Sequence, residues 1–132
     1  TYTLTDGRFT TDFESDFDAW GSVSAGDVLP YLARHQGALR LGWARSIWSL
    51  DGTMRCTEGM RTVAGQEPLT ESFTVGGSTV VDLTARCLVG HGFAVEFSGR
   101  NLLNAAYVAS ARPAGLRPGM PRTLTGGFNL TF

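Results

Sequence analysis

Lysine is absent from this 132-residue chain, and all eleven basic side chains are arginine. Charged residues make up only 17% of the total, against roughly 25% in an average soluble domain, while hydrophobic residues make up 42%. An apolar fraction of that size excludes a disordered chain. The net charge is -1 and the arginines are scattered, so the electrostatic footprint of a nucleic-acid binder is missing. Long apolar runs are missing too. The longest spans about five residues near 105–109, far short of the roughly 20 that a membrane helix needs. Helical spans are thereby excluded, and spanning strands are not. Cysteine is scarce, with Cys56 and Cys87 allowing one disulfide at most and fitting no metal-ligand spacing. In place of charge stand 15 Thr, 9 Ser and 17 Gly, a mixture that favours strands and turns over helices.

A period of two recurs along the chain. Leu124, Gly126, Phe128, Leu130 and Phe132 alternate with Thr123, Thr125, Gly127, Asn129 and Thr131. Phe93, Val95, Phe97 and Gly99 alternate with Ala94, Glu96, Ser98 and Arg100. Val81, Leu83, Ala85, Cys87 and Val89 alternate with Val80, Asp82, Thr84, Arg86 and Leu88. Trp48, Leu50, Gly52, Met54 and Cys56 form a further apolar phase, and Leu39, Leu41 and Trp43 another. A sixth strand is expected over residues 2–13, where a bulge near Asp6-Gly7 would reconcile the phase of Tyr2 and Leu4 with that of Phe9 and Phe13. The connections alternate in length. Short turns are expected at 44–47 and 90–92, and long loops at 14–34, 58–77 and 101–120. In an antiparallel meander this puts every long loop at one end, as in outer-membrane barrels with short periplasmic turns and longer external loops.

Alternation by itself leaves open whether the apolar face packs on a second sheet, as in a soluble β-sandwich, or meets lipid. Three observations favour lipid. The polar phases carry opposite charges at Asp51/Arg55, Asp82/Arg86 and Glu96/Arg100, which suits pairing across strands in a wet lumen. Trp43, Trp48, Phe93 and Phe132 fall at strand ends on the short-turn side, where an aromatic girdle belongs. Phe128, Leu130 and Phe132 form an alternating apolar series ending on an aromatic, which resembles the recognition signal of barrel-assembly machinery.

Several segments also resemble one family. Asn101-Leu102-Leu103-Asn104-Ala105-Ala106-Tyr107 is similar to the Asn-Leu-Phe-Asp/Asn-x-x-Tyr element of TonB-dependent outer-membrane receptors, with Leu103 in place of Phe. Arg117-Pro118-Gly119-Met120-Pro121-Arg122 resembles the element that leads into the family's last strand. Gly26-Asp27-Val28-Leu29-Pro30-Tyr31, His35-Gln36 and Val80-Val81-Asp82-Leu83 resemble others, in the expected order.

The resemblance implies an all-β, antiparallel transmembrane meander, about six C-terminal strands of a barrel of about 22. The plug domain, the segment contacting TonB and the signal peptide would precede Thr1. The implied function is TonB-energised uptake of a ferric siderophore or similar iron chelate across the bacterial outer membrane, with no cofactor, no metal site of its own and no enzymatic activity. The Arg112-Pro113-Ala114-Gly115 loop resembles that of iron-dicitrate-type members. Arg61, Arg112 and Arg117 lie in the long loops and are the candidate ligand contacts, since guanidinium groups suit carboxylate and catecholate anions. The bland alternative is solvation or pairing with Glu58, Glu67 or Glu71. Asn101 and Tyr107 are read as structural, and Asp82 and Arg86 as members of a lumen ion pair with Arg55 or Glu96 rather than substrate contacts. Neither His35 nor His91 suggests catalysis or metal binding. Rival readings are a passive porin, which would lack a plug, a soluble carbohydrate-binding sandwich, which would fold alone in water, and an outer-membrane enzyme, for which no nucleophile set is in place.

Overall fold

The computed structural model describes residues 1–17, 20–68, 74–90, 92–110 and 117–131. Its frame is one six-stranded antiparallel sheet in simple chain order: β1 (Tyr2–Leu4), β4 (His35–Arg45), β5 (Trp48–Thr57), β8 (Ser78–Gly90), β9 (Phe93–Arg100) and β12 (Thr123–Leu130). The five longer strands run 8 to 13 residues, close to the 9–11 that cross a bilayer when tilted. Registers place like phase against like. Leu41, Gly52, Leu83, Gly99 and Leu124 form one apolar row across the sheet, and Gly42, Asp51, Thr84, Ser98 and Thr125 the polar row beside it.

The apolar face is bare. Leu41 is 65% exposed, Leu124 73% and Phe128 80%. The chain exposes 9409 Å², against about 6,800 Å² for a closed domain of this mass. No second sheet covers the face among the described residues, so the two-sheet sandwich is not this fold. The buried apolar residues of the main sheet, Val80 and Ala94, both belong to the polar phase. Trp43 and Trp48 stand half-exposed beside the two-residue turn at Ser46 and Ile47. Phe93 and Phe128 meet at 6.2 Å near the other short turn, where Gly90 and Gly92 take positive φ. A side chain at Gly92 would collide with the Thr131 carbonyl. Cys56 and Cys87 are free and stand on the same face at opposite ends of the sheet, opposite Thr79 and Trp48 respectively.

The single bulged strand expected over residues 2–13 does not form. The chain leaves the sheet after Leu4, with the Thr5 amide donating to the Arg34 carbonyl at 2.9 Å. Its next strand, β2 (Phe13–Glu14), pairs with β3 (Ser22–Val23) in a separate two-stranded sheet. Gly7 leaves room for the Leu32 side chain, which a Cβ there would meet at 2.7 Å. The alternating Phe9 and Phe13 join Trp20 and Phe17 in an edge-to-face cluster with ring centroids 5.4–5.9 Å apart. The other long loops carry hairpins of their own, β6 (Met60–Arg61) with β7 (Thr74–Val75) and β10 (Val108–Ser110) with β11 (Arg117–Pro118).

Candidate functional site

All three long connections emerge from one end of the sheet, and two of them are fastened together. Residues 27–31 lie between residues 7–9 on one side and 61–65 on the other. The Phe9 amide donates to the Asp27 carbonyl at 2.9 Å, Val28 to Gly65 at 3.1 Å and Tyr31 to Arg61 at 2.8 Å. Asp27 is buried, and its carboxylate accepts from the Ser24 amide at 2.9 Å and from Gln66 Nε2 at 3.2 Å. Arg61 sits in this junction. Its Nη2 donates to the Glu67 carbonyl at 2.6 Å, while Nη1 is buried without an acceptor among the described residues. Among the described residues its partner is thus Glu67's backbone rather than the Glu58 or Glu67 carboxylate. An unmatched buried donor costs about 1–3 kcal/mol, so this guanidinium would gain from an anionic oxygen.

The third loop is fastened by one residue. Asn101 is 2% exposed and takes a left-handed φ of 49°. Its Nδ2 donates to the Ala105 and Met120 carbonyls at 3.0 and 2.9 Å, and its Oδ1 accepts from the Ala105 amide at 2.9 Å. Asn104 Oδ1 accepts from the Arg122 amide at 3.2 Å. The Tyr107 ring lies so close over Gly119 that a Cβ there would overlap it. Asn101 and Tyr107 therefore hold the start of the loop to its end, as their residue types imply. Arg117 is exposed on the β10–β11 hairpin, in a different loop from Arg61. Arg112 and the 112–115 segment lie outside the described residues, as do Glu71, His91 and Phe132.

On the polar face the expected pairing occurs on a diagonal pattern. Arg55 Nη2 meets Asp82 Oδ2 at 2.6 Å and Arg40 Nη2 meets Asp51 Oδ1 at 3.0 Å. Arg86 stands directly opposite Glu96. Exposed pairs of this kind contribute about 0–1 kcal/mol each, so they orient the face more than they stabilise it. Asp82 does more, because its Oδ1 also accepts from the Asn101 amide at 2.9 Å. His35 pairs with Tyr2 through Nδ1 and lies 3.9 Å from Glu58. No cluster of three metal-ligating side chains occurs among the described residues.

No family model matches the chain, and no curated protein sequence matches it. Solved structures do. The ferric-catecholate import receptor Fiu from E. coli K12 in its closed form superposes with a TM-score of 0.75 at 24% identity, over 99% of this chain and 18% of that one. Its open form gives 0.64 at 26% identity, over 76% and 16%. The matched structures are import receptors for ferric catecholates, not dicitrate-type ones. The chain spans less than a fifth of the receptor's length, and its fold is that of a section of a barrel receptor, an antiparallel meander left open at both edges.

Proposed function

We propose that this chain is the C-terminal part of a TonB-dependent outer-membrane receptor that imports a ferric siderophore, of the catecholate rather than the dicitrate class. The observation that carries the reading is the superposition of nearly the whole chain on a ferric-catecholate import receptor. It is supported by a bare apolar face suited to lipid, a charged face suited to a wet lumen, and long loops gathered at one end. In this reading Arg61, Arg112 and Arg117 contact the anionic chelate from the external loops. Phe128, Leu130 and Phe132 present the assembly signal. The plug domain and the segment reached by TonB belong to the preceding part of the protein, and the protein carries no cofactor and performs no covalent chemistry.

Iron uptake tests this directly. Cells expressing the full-length protein, starved of iron and given a radiolabelled ferric catecholate, accumulate iron only when the protein and TonB are both present. Accumulation that persists without TonB would indicate a passive channel, and accumulation that ignores the protein would refute the reading.

A further inference from the structure

A cavity of about 340 Å³ at the loop end of the polar face includes none of the arginines assigned to the ligand above. Its floor is sheet, with Arg55 on β5, Asp82 on β8 and Arg100 on β9, and its roof is the third loop, with Asn101, Tyr107 and Met120. Two guanidinium groups and a single carboxylate thus line it. Both oxygens of Asp82 are engaged: one accepts from Arg55 Nη2 at 2.6 Å and the other from the Asn101 amide at 2.9 Å. Arg100 has no ion pair and no side-chain hydrogen bond among the described residues. The next carboxylate on its own strand, Glu96, is four residues away, about 13 Å at 3.3 Å per residue, and faces Arg86. The cavity therefore holds a surplus positive charge. It also has an aromatic ring and a thioether in its wall, and its volume falls within the roughly 300–1,000 Å³ typical of small-molecule pockets.

From this we infer a ligand subsite in the sheet wall beneath the third loop, in which Arg100 binds an anionic oxygen of a planar aromatic group while Tyr107 and Met120 flank its ring. Arg55 and Asp82 serve to position it, Arg55 by occupying the carboxylate that would otherwise neutralise Arg100. The inference rests on the ferric-catecholate reading and names the part of the chelate that reaches below the loops.

The test uses purified full-length protein in detergent and the ferric complex of 2,3-dihydroxybenzoate as probe. Arg100→Gln is expected to weaken binding about tenfold or more, the loss of a charge-assisted hydrogen bond, whereas Arg100→Lys retains most of it and Arg86→Gln, at the far end of the same face, leaves it unchanged. A measurement on the unsubstituted protein guards against misfolding of the variant. The ferric complex shields Arg100, but not Arg86, from modification by phenylglyoxal, read by mass spectrometry. Wild-type binding that Arg100→Gln matches, or equal modification of Arg100 with and without the complex, overturns the subsite alone. Failure of the wild type to bind the complex overturns the catecholate reading and the subsite together.

Discussion

At the scale of single residues, a few polar side chains decide where the loops begin. Asn101 does so through three hydrogen bonds from one buried amide and a left-handed backbone that Asn tolerates better than most residues. Replacing it with Ala leaves the amide of Ala105 and the carbonyls of Ala105 and Met120 without their partner. The expected cost is on the order of 2–4 kcal/mol, from unmatched buried groups and the left-handed penalty together. Asn101→Gly avoids the second part and falls between Ala and wild type. The temperature at which the folded full-length barrel loses its fast migration on SDS gels reads this order, and equal temperatures for all three would show that Asn101 carries no such load. Its structural role is legible in the sequence, because an Asn at the end of an alternating segment has few other uses. The surplus charge on Arg100 is not legible. It depends on which of two arginines reaches Asp82, and that follows from cross-strand register rather than from spacing along the chain.

At the scale of elements, alternation located the five longer strands because each has one wet and one bare face over at least eight residues. It failed over residues 2–13. There the alternating aromatics belong to an edge-to-face cluster around Trp20 rather than to a pleated strand, and five or six residues of alternation fit both. The small hairpins inside the loops, and the Asp27–Gln66 bond between two loops, were likewise hidden because they are contacts between segments distant in sequence. The two faces of β8 make a paired prediction. Leu83 and Thr84 are neighbours in the middle of the sheet on opposite faces. In the proposed barrel, Leu83→Arg places a charge toward lipid and costs about 2–4 kcal/mol near the midplane, whereas Thr84→Arg points into the lumen and costs under about 1 kcal/mol. Denaturant titration of the full-length barrel in lipid vesicles separates the two, and similar losses for both would refute the assignment of faces.

At the scale of the whole molecule, the low charge and the excess of exposed surface have one cause. A sheet with an apolar row running across five strands has nothing among the described residues to cover it, and its two edges present unpaired backbone. Lipid on one side, the rest of a barrel at the edges and a wet lumen on the other side satisfy all three surfaces at once. The absence of lysine has no structural explanation. The central claim, that the bare face meets lipid, is tested most directly by spin labels placed one at a time at positions 81–86 of the full-length protein in vesicles, after Cys56 and Cys87 are replaced by Ser. Accessibility to oxygen should peak at 81, 83 and 85 and accessibility to a water-soluble nickel chelate at 82, 84 and 86. Uniform accessibility along the strand, or nickel access at 83 equal to that at 84, would contradict it.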